Sequence, residues 1–440
     1  MEGILKKNSI TSNAFIILAV CLLPVSSAAG GSDSFIQALT HALDHNPEIK
    51  AAQAKLVAAQ ERLPQSRAEL MPNLAVNVTP NSSHSSWRGG GTSGQSVVVG
   101  ATLSQMLYNR PVLIALDQTV PWIGAAADDL DGVMQTVFFK VAKATVDLLQ
   151  AKEIVRLAEN NQRVMQQHLT STQTRHRVGE LTRTNISQAE ARLATAHADH
   201  TRANNDLAVA RAQFFEVVGK PAGESLSLPR FRHSPGEGSL ESWLVQLEQR
   251  PDMRATSKRL SVAESAIKQE QAGHWPTLSL SSGASHVWQK GGTTVVSTTE
   301  EEADSYTLGM RMDLPLYSGG MTLSKTAEAQ ARRDAQWAEL DRLRRQAYRE
   351  IEKAYLDLQS SQALTTSFNS IVAAAKMARD GVEREFRVGT RTSLDLLDSE
   401  RELFSNQTNL AKNRYSLELA RFQMLLVVGR LTLEELLLPQ

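Results

Sequence analysis

The chain has 440 residues and carries 47 basic against 47 acidic side chains, so its overall charge points to neither nucleic acid nor an acidic substrate. Aromatic residues make up only 5%, and few prolines interrupt long stretches rich in Ala, Leu, Gln, Glu and Arg, which disfavours a string of compact domains and favours long helices. The single cysteine, Cys21, excludes a disulfide framework.

At the start, Lys6 and Lys7 precede an apolar run from Ala14 to Leu23, followed by small residues through Ala28 and Ala29. This is the pattern of a secretory signal, expected over 1–28. Val20 stands before Cys21 where a lipoprotein anchor requires a small residue. No other run approaches the 18 or more apolar residues of a membrane-spanning helix, so any insertion into a bilayer has to use strands.

A first repeat is expected over 29–220. Helical spacing of Phe35, Leu39, Leu43, Leu56 and Leu63 is interrupted at Asn46-Pro47 and ends at Pro72. Leu74, Val76 and Val78 then alternate with polar or small residues, as do Val97, Val99, Ala101 and Leu103 beyond a Ser- and Gly-rich loop at 81–95. That predicts a β-hairpin over 73–104. A very long helix follows from about Pro111 to Arg177, a turn occupies 177–185, and a return helix from Thr184 to Val217 ends at Gly219.

After a linker at 221–238, rich in Pro and Gly, a second repeat is expected over 239–440. Arg250-Pro251 matches Asn46-Pro47 and Pro276-Thr277-Leu278 matches Pro72-Asn73-Leu74, both 204 residues on; Gly389 and Gly429 match Gly179 and Gly219 at 210. The repeat predicts a hairpin over 277–317, a helix from Leu323 to Arg387, a turn at 387–395 and a return helix. In the hairpin, Tyr306, Leu308, Met310, Met312, Leu314 and Leu316 form one apolar face. Leu396, Leu403, Leu410, Leu417 and Met424 recur by sevens, with Ala189, Ala196, Ala203 and Ala210 in the first return helix, the spacing of closely packed coiled coils.

Two short hairpins within extended helices have little soluble core to pack on, whereas a bilayer would take their apolar face and leave the polar face to a lumen. Four strands do not close a barrel and cannot leave edges bare in hydrocarbon. Three copies would supply twelve. The fold expected is therefore mainly α with membrane β: a duplicated chain forming a trimeric 12-stranded barrel that continues into a coiled-coil α-barrel. The return helix at 184–217 and a helix at 240–271, stacked end to end, would match the length of one long stave.

The ordered set Val388-Gly389-Thr390-Arg391-Thr392, Asp395-Leu396-Leu397-Asp398, Pro276-Thr277-Leu278, 314–320 and Val428-Gly429 resembles the TolC family of outer-membrane channels across the whole chain after the signal. The resemblance implies a homotrimer in the outer membrane of a Gram-negative bacterium, reaching through the periplasm and contacting outer-membrane lipid. It further implies a periplasmic adaptor and an inner-membrane ABC exporter or proton-driven efflux pump as partners, and no cofactor. By position, Asp395 and Asp398 match the family's pore constriction. Asn185, Phe386 and Arg391 match closed-gate contacts, with Asn185 in place of an aspartate and Phe386 in place of a tyrosine. Val178, Gly179, Thr182, Val388, Gly389, Thr390 and Thr392 are the tips expected to dock the adaptor. On spacing alone, Asp395 three residues after Thr392 reads as a helix cap.

The other readings are a periplasmic helical adaptor or scaffold, which should lack paired membrane hairpins, and an enzyme, for which no grouping of nucleophile, base and orienting residue stands out. His41 with His45, and His197 with His200, have metal-like spacing without a third ligand. Gly89-Gly90-Gly91 lacks a phosphate-loop lysine, and Glu300-Glu301-Glu302 reads as a solvated acidic loop. The tip resemblance leans toward type I protein secretion with an ABC transporter; multidrug efflux is the alternative.

Overall fold

The computed structural model describes residues 32–224, 226–229, 231, 238–293 and 299–433. The signal expected at 1–28, with Cys21, lies outside them, as do parts of the linker and the last seven residues. Two copies of one plan follow each other. In the first, α1 (Ser32–His45), α2 (Pro47–Gln60) and α3 (Arg62–Ala68) lead into β1 (Asn73–Trp87) and β2 (Gly90–Asn109), then α4 (Arg110–Arg177) and α5 (Arg183–Val218). In the second, α6 (Leu240–Leu244), a 3-10 turn (Val245–Gln249) and α7 (Pro251–Gln271) lead into β3 (Thr277–Thr293) and β4 (Thr299–Asp313), then α8 (Met321–Arg387) and α9 (Ser393–Val428).

The four strands form one antiparallel sheet in chain order, leaving β1 and β4 as edges. Register decides its faces. Leu74 pairs with Leu103, Val76 with Ala101, Ala101 with Ala284, Ala284 with Tyr306 and Ser282 with Leu308, so most of the large apolar residues of the four strands share one side. They are exposed in the single chain, Leu74 at 69% and Tyr306 at 80%. The other side carries Asn77, Thr102, Gly283, Ser285, Thr307 and Gly309 and is mostly small or polar, with Val98, Val287 and Met106 among its apolar exceptions. This is the alternation of a membrane barrel wall, greasy outside and wet inside.

The hairpins differ from expectation at their ends. The Ser- and Gly-rich loop expected at 81–95 is mostly strand, because the ladder pairs every residue up to Trp87 with Gly90 and confines the reversal to Arg88 and Gly89, the latter at φ +123°. The first hairpin extends past 104 to Asn109, whose side-chain Oδ1 accepts the Val112 amide and starts α4 directly. The second ends at Asp313, short of the expected 317, since Pro315 has no amide for a ladder. There Gly319 and Gly320, at φ +62° and +84°, turn the chain into α8.

Helices α4 and α8, of 68 and 67 residues, each extend about 100 Å. α4 runs unbroken through Pro121. Between α4 and α8 lie two shorter helices end to end, and the pairing corrects the expected stave. α5 does not stack with the helix of the second repeat; it meets α2 of its own repeat, as α9 meets α7. The junctions are the same construction made twice. Asn46 Nδ2 donates to Val217 O at 3.3 Å, and Arg250 Nη1 donates to Val427 O at 2.9 Å, residues related by the repeat. Pro47 and Pro251 open α2 and α7, where a missing amide costs nothing. The helix expected over 240–271 is accordingly broken at extended Arg250.

The core sits around these junctions. Phe35, Phe138, Phe214 and Phe422 join α1, α4, α5 and α9, with Leu226 and Leu431 from the connecting segments. Trp243, Met253, Ile351, Met424 and Val428 form its counterpart in the second repeat. Along the helices the expected seams are buried: Leu396, Leu403, Leu410, Leu417 and Met424 in α9, and the alanines 189, 196, 203 and 210 in α5.

Candidate functional site

At the end farthest from the sheet, two helical hairpins finish in turns of one design. In the first, Gly179 at φ +84° donates its amide to His176 O and Glu180 donates to Arg175 O; in the second, Gly389 at φ +83° donates to Phe386 O and Thr390 to Glu385 O. The left-handed glycine closes each helix, because any side chain there would be strained. Val178 and Val388, 70% and 76% exposed, stand beside the glycines as apolar points on otherwise polar tips.

Each return helix opens with a capping box. Thr182 N and Oγ1 donate to Asn185 Oδ1 at 3.2 and 2.7 Å. In the second tip, Thr392 N and Oγ1 donate to Asp395 Oδ2 at 3.0 and 2.8 Å, while Asp395 N donates back to Thr392 Oγ1. These bonds from the Thr392 backbone and hydroxyl, with Arg391 adding a smaller attraction, hold the Asp395 carboxyl below the usual carboxylate range.

The expected partnership of Arg391 with Asn185 is not made within the chain. Arg391 Nε donates to Glu385 Oε2 at 2.8 Å in its own tip, a pairing that raises the guanidinium pKa, and the amide oxygen of Asn185 is committed to its cap. A local acidic partner six residues away outcompetes a neutral acceptor on the other hairpin. Phe386 does cross between hairpins: the Arg175 guanidinium lies 4.7 Å above its ring, a cation–π contact that needs no hydroxyl.

Asp395 and Asp398 are also separated in role. Asp398 Oδ1 accepts from Arg192 Nη2 of α5 at 2.7 Å, so it joins the second return helix to the first. One residue back, Leu397 packs with Met165 and Ala196 in a small apolar cluster between the hairpins. Two residues on, buried Glu400 has His168 Nε2 of α4 and Arg379 Nη1 of α8 both at 3.7 Å. Thus α9 presents Leu397, Asp398 and Glu400 to the first hairpin within one turn.

Arg175, Arg192, His168, Glu385 and Glu400 were not singled out from the sequence. For Glu385 a local signal existed, an acid six residues before Arg391 across a tight turn. The others meet residues more than 200 positions away, and nothing in spacing announces them. His41, considered as a metal ligand with His45, instead bonds Val218 O through Nδ1 at 2.8 Å, and the two rings stack at 4.4 Å. It belongs to the α2–α5 junction.

A family model described as outer membrane efflux protein matches residues 38–220 and 245–430, one block on each repeat. The outer membrane protein TolC of Vibrio cholerae is 26% identical over 417 residues, covering 93% of this chain and 94% of that protein. The alkaline protease secretion protein AprF of Pseudomonas aeruginosa is 25% identical, covering 85% of this chain and 80% of that one. Among solved structures, CusC superposes with a TM-score of 0.78 at 17% identity over 92% of this chain and 95% of its own, a likeness of fold. A sheet greasy on one side, doubled staves and paired helical tips, matched by the family model over both repeats, place the chain in the outer membrane efflux protein family, the TolC-like channels of the Gram-negative outer membrane.

Proposed function

We propose that this protein is the passive exit duct of a tripartite export system, working as a homotrimer whose twelve strands close a barrel in the outer membrane and whose helices form a tube toward the inner membrane. The observation that carries this reading is the sheet: one apolar face, one mostly small or polar face and two unpaired edges in a chain whose place is a bilayer. Edge amides and carbonyls are intolerable in hydrocarbon, and β4 of one copy pairing with β1 of the next satisfies them. The tips, with Val178, Gly179, Thr182, Val388, Gly389, Thr390 and Thr392 exposed, are the surface offered to a periplasmic adaptor; Asp395 and Asp398 border the entrance, Phe386 joins the hairpins that keep it narrow, and Asn185 and Arg391 shape it from within their own tips. Substrate crosses without chemistry, driven by an inner-membrane transporter.

The system is of the type I secretion kind with an ABC transporter. This rests on the tip sequence of the second repeat and on likeness to AprF, whose name refers to protease secretion. The efflux reading is favoured by the description of the family model. Copurification decides: the membrane-embedded protein, crosslinked at the tips through Val178→Cys or Val388→Cys, should capture an adaptor together with an ATP-hydrolysing transporter. Capture of a proton-driven pump instead would establish the efflux reading, and a folded monomer that conducts no ions would defeat the duct itself.

A further inference from the structure

We infer that Arg192 is the counter-charge of the duct entrance: it neutralises Asp398 and so sets how strongly the narrow end prefers cations. This rests on the reading of the tips as the entrance, and it replaces the simple acidic ring that Asp395 and Asp398 would form if both faced open water.

Arg192 and Asp398 come from different return helices, α5 and α9, and meet at 2.7 Å. Their distance is held by packing: Leu397 beside Asp398 is 2% exposed, Ala196 one turn beyond Arg192 is likewise 2%, and the two are in one apolar cluster with Met165. An alanine at 196 lets the helices approach closely enough for the arginine to span the gap. Arg192 is itself the less exposed partner, its side chain at 28% against 51% for Asp398, so the guanidinium is lodged between the hairpins while the carboxylate still meets solvent. Among the described residues Asp398 has no second ion pair.

The surrounding charge agrees. Over 175–192 and 383–398, the two tips with the first turns of their return helices, there are seven arginines and six carboxylates. Asp395 is faced by Arg391, which also pairs with Glu385. A threefold ring built from these groups has one arginine in excess per chain and so a modest positive balance, whereas a ring of six unpaired carboxylates would focus a strongly negative field. The entrance as built thus admits an anionic segment of cargo without a large electrostatic penalty, and loss of Arg192 exposes the acid.

The experiment is the reversal potential of the full-length oligomer in a planar bilayer under a KCl gradient, for wild type, Arg192→Gln, Asp398→Asn and the double variant. Arg192→Gln should raise the cation-to-anion permeability ratio several-fold, Asp398→Asn should move it the opposite way, and the double variant should return close to wild type. Arg192→Lys should keep the wild-type ratio. Should Arg192→Gln disturb assembly, Arg192→Cys modified after assembly supplies the charge on a folded channel: a cationic methanethiosulfonate should restore the wild-type ratio and a neutral one should not. If Asp398→Asn shifts the ratio and no change at Arg192 does, the counter-charge is disproved while the entrance reading stands. If neither position affects the ratio in a conducting channel, the tips do not govern selectivity and both readings fall.

Discussion

At the residue scale, Asp395 and Asn185 occupy the same place in two copies of one cap, and the comparison separates capping from charge. An amide already performs the cap at Asn185, accepting from the Thr182 amide at 3.2 Å. Asp395→Asn should therefore keep the tip folded while removing a charge. Asp395→Ala should lose the cap. Hydrogen exchange at the Thr392 amide, which donates to Asp395, is the measure: faster in the alanine variant, close to wild type in the asparagine variant. Because the folded carboxyl has its pKa lowered, chiefly by the Thr392 backbone bond, its contribution is complete above the unfolded value and fades as pH falls through the folded one. Exchange at Thr392 in the wild type should accelerate on that acidic limb, and in Asp395→Asn it should lose this pH dependence beyond the intrinsic rate.

Asn185→Asp has a related outcome. The new carboxylate would accept from Thr182, strengthening its own cap, since Arg391 is held by Glu385. Its effect on tip exchange should be the same with Arg391 present and in the Arg391→Ser background. A larger effect with Arg391 present would show that the arginine reaches across to the first hairpin.

At the scale of elements, the junctions decide how short helices become full staves. Arg250 is 9% exposed and donates to Val427 O, Asp252 and Glu350. Removing it leaves the Val427 carbonyl buried without this donor but the two carboxylates only partly covered, so Arg250→Met should cost about 2 kcal/mol, below the range for a fully buried network. Asn46→Ala loses the Val217 contact and the cap on Glu48 N, about 1 kcal/mol. Both are read as a fall in the temperature at which the oligomer dissociates, the larger fall belonging to Arg250. Gly429→Ala should be severe for a different reason, as it sits at φ +79° with the position of a Cβ only 3.0 Å from Arg250 Cα.

At the scale of the whole molecule, the sheet is unfinished in one chain and the membrane sets the terms of its completion. Detergent-extracted protein measured by light scattering should have three times the 48.2 kDa of the full chain, less any cleaved signal. The two faces should respond oppositely to charge. Leu308→Lys, in the middle of the apolar face, should cost roughly 2–4 kcal/mol per copy and reduce outer-membrane assembly. Thr307→Lys, one residue away on the small polar face, should assemble and alter conductance instead. Equal tolerance at both positions would contradict the assignment of faces.

The sequence by itself determined the periodic features. Heptads in α9, alternation in β4, the Asn46-Pro47 break, the glycines at 179 and 389 and the repeat at 204 to 210 residues are local or self-similar signals, and local backbone preference enforces them wherever the chain goes. The Thr392–Asp395 cap was legible for the same reason, since both partners lie within one turn. Tertiary structure alone decided which short helix stacks on which, because Asn46 to Val217 and Arg250 to Val427 are contacts across more than 170 residues that equal helix lengths do not select. It also decided the partners at the tips. Arg391 was free to choose among acceptors and took the nearest carboxylate, while Arg192 and Asp398, each unremarkable on its own helix, became a pair because Ala196 and Leu397 pack the two return helices together. Charge pairing between distant segments follows helix packing, and packing geometry is the one quantity that periodicity leaves open.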